Sequence, residues 1–235
     1  MSEITNEVTA VITCMNRETN AKYCLASINI CKPTPRCILV DYGSAKPLTH
    51  FGDMYPWLTV VRVNNITKFH KTRALNIGIQ EVKSDYTCLT DIDQIFQPNF
   101  FNILLQELRP RRFVKCKTHF AHVLPKFPPR KVNFMKYREY LRQVKADPVR
   151  DPHGEGCCQG ILTKRLRALG GHDETYIGWG YEDKDLEFRA RRSGLSIVWI
   201  DDRTSMVHLP HERNKAYFNR AQIVKNKAIF NRKKG

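Results

Sequence analysis

Long apolar runs are missing from this sequence. No stretch approaches the roughly 20 apolar residues that a membrane-spanning helix needs. The segment Met1–Glu7 is polar and acidic, unlike the basic and then apolar start of a secretory signal. Internal repeats, low-complexity tracts and an interdomain linker are absent too. With 235 residues, of which 42% are hydrophobic, the chain can bury one sizeable core. We therefore expect a single globular domain and a cytoplasmic location.

Paired cysteines of the kind that bind zinc are also missing. None of the eight cysteines forms a Cys-x-x-Cys pair, which argues against a zinc knuckle. Several lie inside apolar runs, as in Cys37–Val40. A disulfide framework is not expected in a chain of this size without a secretion signal. We predict reduced cysteines that pack as small hydrophobic residues.

Acidic residues are few relative to basic ones. The sequence has 39 Lys and Arg against 23 Asp and Glu, a net charge of +16. Basic residues are dense in 109–150, where they alternate with aromatic ones, and in the tail 213–235. A small domain needs less charge than this to stay soluble. The excess favours an anionic partner: a nucleic acid, an anionic membrane surface or an acidic polymer.

Strand and helix signals alternate through the first half of the chain. The predicted strands are Val8–Thr13, Cys37–Asp41, Leu58–Val63, Tyr86–Thr90 and, in the second half, Leu195–Ile200. The predicted helices cover residues 19–30, 70–82, 99–108, 162–169 and 182–192. This alternation predicts an α/β fold with a Rossmann-like, mostly parallel sheet flanked by helices. Ligands of such sheets bind at the carboxyl ends of the strands.

Acidic residues stand at two of these predicted strand ends. Asp91 and Asp93 form an Asp-x-Asp (DXD) pair after the fourth strand. Carboxylates one residue apart can hold a hard divalent cation, of the kind that neutralises a leaving diphosphate. A solvated acidic turn fits the same pattern. Asp41, at the end of the second strand, fits a contact to a nucleobase or ribose and equally a turn-capping role.

The block Gly178–Asp185 combines aromatic and acidic residues. Glycines flank Trp179, which predicts a mobile loop with a flat apolar face suited to stacking on a sugar ring. Glu182 and Asp183 follow where a helix begins, and one of them could deprotonate a hydroxyl as general base. The alternative is helix capping, with Trp179 in the core. Further on, a histidine after a strand is a candidate metal ligand, but spacing does not separate His208 from His211.

Taken in order, these segments resemble the GT-A fold of nucleotide-sugar glycosyltransferases. The first half is similar to glycosyltransferase family 2 in Val11–Arg17, Val40–Ser44, Lys71–Gly78 and Thr90–Asp93. The second half is similar to the galactosyltransferase C-terminal module (family 7) of chondroitin-polymerase-like and β-1,4-galactosyltransferase enzymes in Gly170–Glu174, Gly178–Asp183 and Met206–His208. Two positions depart from that module: Tyr181 replaces a glycine, and His172 stands where an aromatic or aliphatic residue is common.

The resemblance, over residues 8–212, also implies how the single domain is divided. Residues 8–95 would bind the nucleotide sugar, and 96–212 would bind the acceptor and carry the catalytic group. Residues 213–235 would form a basic C-terminal tail.

Roles for individual residues follow from the same resemblance. It implies that Asp183 is the catalytic base of an inverting transfer, a single in-line displacement. It also implies that Asp93 and His208 are the protein ligands of Mn²⁺ (or Mg²⁺), with Asp91 nearer the ribose or a metal-bound water.

Donor and acceptor contacts are implied in the same way. Asp41 would contact the nucleobase, and Arg73 would lie near the donor phosphates. Glu182 would bind the acceptor, while Trp179 would contact acceptor or donor sugar.

We accordingly predict a metal-dependent glycosyltransferase that uses a nucleotide sugar, a UDP-sugar, and an anionic acceptor. The leading acceptor is a modified base of DNA or tRNA, since the 109–150 segment pairs phosphate-binding charges with aromatics that can stack on bases. Those aromatics are Phe113, Phe120, Phe127, Phe134, Tyr137 and Tyr140. One alternative is a polysaccharide or lipid-linked glycan acceptor, with peripheral contact to an anionic membrane. Another is an inactive nucleic-acid-binding module with this fold.

Overall fold

A seven-stranded sheet and a smaller three-stranded sheet organise the computed structural model, which describes residues 3–147, 156–211 and 219–234. The strands are β1 (Ile4–Cys14), β2 (Thr34–Tyr42), β3 (Leu58–Val63), β4 (Tyr86–Asp91), β5 (Gln94–Phe96), β6 (Arg112–Lys115), β7 (Thr118–Phe120), β8 (Cys158–Leu162), β9 (Ser196–Trp199) and β10 (Met206–His208). The α-helices are α1 (Glu18–Asn29), α2 (His50–Met54), α3 (Lys71–Glu81), α4 (Phe100–Glu107), α5 (Tyr137–Gln143), α6 (Thr163–Ala168), α7 (Glu182–Arg192) and α8 (Arg220–Lys234). A 3₁₀ helix spans Pro129–Phe134.

The large sheet has the order β3-β2-β1-β4-β8-β6-β9. Its first four strands are parallel, β8 runs antiparallel to both β4 and β6, and β9 is parallel to β6. In register, Cys14 pairs with Asp41 and Thr13 pairs with Asp91. The ends of β1, β2 and β4 therefore meet at one edge, as expected for parallel strands.

The small sheet, β5-β10-β7, was not anticipated from the sequence. Its strands have three residues each, too few for periodicity to reveal them. β10 pairs antiparallel with β5, so that His208 lies opposite Gln94. This pairing places His208, from late in the chain, next to Gln94 and so close to Asp93.

Apolar clusters cover both faces of the large sheet, as a largely parallel sheet requires. α1 and α4 pack on one face, and α3 and α7 on the other. From Val8 to Cys14 every residue of β1 is buried. All eight cysteines are free and buried, which confirms that they pack as small core residues.

The elements predicted from periodicity are confirmed, with ends that differ by a few residues. The α/β fold with a mostly parallel sheet is also confirmed. The two halves of the chain share one sheet, because β8, β6 and β9 extend it beyond β4. Within the 213–235 tail, α8 occupies 220–234. None of the described helices is both long and apolar enough to cross a membrane.

Candidate active site

One carboxylate and two histidines meet at the edge where β4 ends. The ligand atoms of Asp93, His208 and His211 lie within 4.8 Å of one another. The Nε2 atom of His208 is 3.5 Å from Asp93 Oδ1, and that of His211 is 3.4 Å from Asp93 Oδ2. The structure thus brings both histidine candidates to Asp93.

The chemistry of this cluster fits a divalent cation. Carboxylate oxygen and imidazole nitrogen are suitable donors for first-row ions, Mn²⁺ among them. Burial raises the pKa of Asp93, but its interactions with His208, Arg17 and His211 outweigh burial, and the pKa of this carboxyl is lowered. The carboxylate is therefore ionised, as a metal ligand must be, and the two imidazoles would bind the cation in their neutral form. The Arg17 guanidinium, 2.6 Å from Asp93 Oδ2, shows that the carboxylate attracts positive charge.

A buried lysine joins the strand end to the start of α7. Lys71 is the first residue of α3, and its side chain is 10% exposed. Its Nζ atom lies 3.2 Å from Asp183 Oδ2, 3.4 Å from Asp91 Oδ1 and 3.6 Å from Glu182 Oε1. One ammonium group therefore holds together three carboxylates from two distant segments.

Asp183 is held as an ionised, oriented carboxylate. Gln159 donates a hydrogen bond from Nε2 to Asp183 Oδ1 at 3.1 Å. Burial would raise the pKa of Asp183, but the charge of Lys71 outweighs burial and lowers it. Gly156 approaches so closely that a Cβ atom there would lie 1.8 Å from Asp183 Oδ2. The group is thus charged near neutral pH and able to accept a proton.

The pKa of the neighbouring Glu182 is raised, whereas that of Asp183 is lowered. The side chain is buried, and its Oε2 atom has no hydrogen-bond partner among the residues that the structure describes. Burial, followed by the charge of Asp183, raises the pKa of Glu182 to about 7. Adjacent carboxyl groups with pKa values moved apart are a feature of acid–base sites. The acceptor contact of Glu182 stays a prediction.

The glycine-flanked tryptophan precedes these carboxylates on a tight turn. Gly178, Gly180 and Tyr181 have φ values of 69°, 105° and 73°. Trp179 is 47% exposed, so the alternative that places it in the core is wrong. Its indole is accessible for stacking, but a sugar contact stays a prediction.

Two residues that the sequence assigned to donor binding, Asp41 and Arg73, are not members of these clusters. Asp41 is completely buried and accepts hydrogen bonds from the backbone N–H of Ser44 (3.1 Å) and Leu48 (3.0 Å) and from Arg62 (2.6 Å). This is the turn-ordering role left open by the sequence. The side chain of Arg73 is exposed on α3. Nucleobase and phosphate contacts for these two residues stay predictions.

Arg17, Lys71 and Gln159 were not singled out from the sequence. Arg17 follows the end of β1, so its position at the carboxyl edge of the sheet could have marked it as a site residue. Lys71 and Arg73 stand in the same motif, but helix residues two apart point in different directions, and it is Lys71 that faces the carboxylates. Gln159 lies on β8, which was not predicted, and no signal pointed to it.

Three of the six aromatic residues expected to stack on bases are buried in the protein. Phe113 and Tyr140 are completely buried and Phe127 is 9% exposed, so these rings are not available to stack on bases, contrary to expectation. The ring of Phe120 lies against His208, with centroids 5.2 Å apart. The Phe134 side chain and residues 148–150 lie outside the described part.

Similarity to known proteins covers most of the chain. A family model described as "Glycosyltransferase like family 2" matches residues 6–222. The chain belongs to this glycosyltransferase family. Human β-1,4-galactosyltransferase 1 is 25% identical over 196 residues, which cover 82% of this chain and 38% of the relative. The family 2 and galactosyltransferase resemblances of the sequence are thereby confirmed.

Solved structures show the same fold at low identity. A crystal structure of GalNAc-T7 with UDP, GalNAc and Mn²⁺ has a TM-score of 0.68 and 16% identity, over 95% of this chain and 48% of that one. Staphylococcus aureus TarS 1-349 in complex with UDP-GlcNAc has a TM-score of 0.67 and 12% identity, over 95% and 65%. The fold is therefore GT-A. The chain spans about two fifths of the human relative and half of the GalNAc-T7 chain.

Proposed function

We propose that this protein is a metal-dependent, inverting glycosyltransferase that moves a sugar from a nucleotide sugar, a UDP-sugar, to an acceptor hydroxyl. The observation that carries this proposal is the linkage between two clusters at one sheet edge. Asp93 and its two histidines offer the ligand atoms that a cation site needs. Lys71 pairs both with Asp91, two residues before Asp93, and with the ionised Asp183. UDP and Mn²⁺ in the GalNAc-T7 structure support the donor and the ion.

Donor binding is assigned to the residues around Asp93. Asp93, His208 and His211 would hold Mn²⁺ or Mg²⁺, since they offer one oxygen and two nitrogen donors. Such a cation supplies charge that neutralises the diphosphate leaving group. Arg17, 2.6 Å from Asp93, adds positive charge on the same side. Asp91 would lie nearer the ribose, Asp41 would act through the loop that it orders, and Arg73 is a candidate phosphate contact.

Asp183 carries the chemistry in this proposal. Its carboxylate takes the proton of the acceptor hydroxyl while that oxygen bonds to the anomeric carbon of the sugar. The bond from that carbon to the diphosphate oxygen breaks in the same displacement, which inverts the configuration. Trp179, on the turn before α7, and Glu182, the first residue of α7, would position the sugar rings.

The acceptor is proposed to be anionic, because the net charge of +16 exceeds what solubility requires. An acidic or lipid-linked glycan is now favoured over a nucleic-acid base, since three of the six aromatics expected to stack are buried. A DNA or tRNA base remains the second candidate, supported by charge alone. An inactive module would have no use for the Lys71-linked carboxylates, and that alternative is the least favoured.

Replacing the base tests the proposal. Asp183→Asn should lower transfer by about 10²–10⁴-fold, the usual contribution of a general base, while titration calorimetry finds UDP-sugar binding with Mn²⁺ retained. Asp202→Asn, at an exposed position, is the matched control. Unchanged turnover in Asp183→Asn would exclude Asp183 as the base.

A further inference from the structure

The C-terminal helix α8 makes unusual contacts for such a basic segment. Asn226, in its middle, is completely buried. Its Nδ2 atom donates to the carbonyl oxygens of Ile177 and Gly180, both at 3.0 Å, and lies 3.5 Å from that of Trp179. Its Oδ1 atom accepts from Gln222 Nε2 at 3.0 Å. One side chain therefore spans the backbone on both sides of Trp179.

Contacts near the end of α8 fix the segments that flank this turn. The Phe230 ring lies 5.6 Å from that of Tyr181 and 5.9 Å from that of Phe188 on α7. Lys233 forms ion pairs with Asp173, before the turn, and with Asp185, on α7. Asp185 is completely buried, and Lys233, whose side chain is 31% exposed, reaches it from the surface at 2.7 Å.

Tyr181 connects this helix to the geometry of the turn. Its φ of 73° lies in the left-handed region, which is unfavourable for a residue with a side chain and persists only where the surroundings enforce it. The Phe230 ring contact and the Asn226 hydrogen bond to the preceding Gly180 carbonyl are such surroundings. A tyrosine in place of the glycine of the galactosyltransferase module thus fits the presence of α8.

We propose that α8 is a clamp that holds the turn 177–181 in the conformation that presents Trp179 and Asp183 to the acceptor, with Asn226 as its positioning residue. The catalytic consequence rests on the proposed function. By holding the carbonyls on both sides of Trp179, Asn226 restrains the indole and the start of α7. The metal cluster at Asp93 lies on other elements, so we expect binding of UDP with Mn²⁺ to be independent of the clamp.

Acrylamide quenching of tryptophan fluorescence tests the clamp without any need for activity. The chain has three tryptophans. Trp57 is 3% exposed, so a Trp199→Phe background leaves Trp179 as the accessible reporter. Asn226→Asp keeps the size of the side chain but sets a carboxylate against three carbonyl oxygens. We expect its quenching constant to rise at least twofold, whereas Lys227→Ala, at an exposed position of α8, matches the parent.

Kinetics then separate positioning from a merely structural role. Asn226→Asp should raise the acceptor KM by about tenfold or more, with the calorimetric Kd for UDP in the presence of Mn²⁺ unchanged. Phe230→Ala, which removes the ring contact to Tyr181 from the α8 side and leaves the turn sequence unchanged, should move both readouts in the same direction and serves if Asn226→Asp does not fold. Unchanged quenching, or raised quenching with an unchanged acceptor KM, would overturn the clamp. Absence of transfer by the unaltered protein would instead count against the proposed function, and quenching would still decide whether α8 holds the turn.

Discussion

Loss of the Lys71 charge is the most informative single perturbation of the carboxylate cluster. Lys71→Met keeps the aliphatic stem and removes an ammonium group that lies 3.2 to 3.6 Å from Asp183, Asp91 and Glu182. Two unit charges at 4 Å attract by roughly 4 kcal/mol at an effective dielectric constant of about 20. Each of the three interactions is thus large relative to the total stability of a domain, about 5–15 kcal/mol.

The expected loss of stability is smaller than the sum of these attractions. Removal of one partner of a buried ion pair costs about 3–5 kcal/mol. Glu182 relieves part of this cost by holding its proton, because its pKa is already about 7. We therefore expect Lys71→Met to lower the free energy of unfolding by about 3 kcal/mol, near the lower limit for such pairs.

The same substitution should change the pH dependence of transfer. Lys71 lowers the pKa of Asp183 against the effect of burial, so the pKa rises when the ammonium group is removed. A base is lost as pH falls through its pKa, and the acid limb of the kcat profile should therefore move to higher pH. The loss of kcat relative to the unaltered protein should therefore grow as the pH falls.

Urea unfolding and a kcat profile from pH 5 to 9 measure both effects. Lys71→Arg, which keeps the charge, should retain most of the stability, and Lys68→Met, at an exposed position, should change neither quantity. If Lys71→Met has the unfolding free energy and the acid limb of the unaltered protein, the electrostatic account of the cluster is refuted.

Three further predictions concern the metal cluster, a buried histidine and the basic surface. Asp93→Ala should abolish the dependence of UDP-sugar affinity on Mn²⁺, and a normal Mn²⁺ effect in calorimetry would reject the metal assignment. Burial lowers the pKa of His172 from 6.5 to about 4, and its ring nitrogens have no partner among the described residues. Stability should therefore fall as pH drops below 6.5, where only the unfolded chain gains the proton. His172→Phe should remove this loss, about 2 kcal/mol between pH 8 and pH 5 by urea unfolding; the same pH dependence in the variant would contradict this. Arg109→Glu with Arg111→Glu, both exposed, should flatten the salt dependence of acceptor binding, and an unchanged slope would place the anionic contact elsewhere.

The edge of the sheet that carries the site could be predicted from the sequence. β1, β2 and β4 are apolar runs buried on both faces, and parallel strands must align their carboxyl ends. Asp41 and Asp91 therefore lie at that edge, as expected. The start of α7 was also predictable, since acids at its beginning and arginines at its end suit the helix dipole.

Other parts of the site depend on contacts that leave no local signal. β10 has three residues, and only its pairing with β5 places His208 beside Asp93. Lys71 and Arg73 are equivalent in charge, and only the packing of α3 decides which of them faces the carboxylates. The helix α8 docks through a buried asparagine, an aromatic ring and the ion pairs of Lys233, with no apolar stripe along its sequence.

Direct measurement of sugar transfer tests the central claim. The unaltered protein is incubated with a panel of UDP-sugars, with Mn²⁺ or with EDTA, and with acidic glycans, a lipid-linked glycan, hydroxymethylated DNA and tRNA as acceptors. We predict release of UDP and a glycosylated product with Mn²⁺ and an anionic acceptor, inverted at the anomeric carbon, and neither with EDTA nor with Asp183→Asn. Equal transfer in EDTA, a retained anomeric configuration, or no turnover with any pair of donor and acceptor would contradict the account.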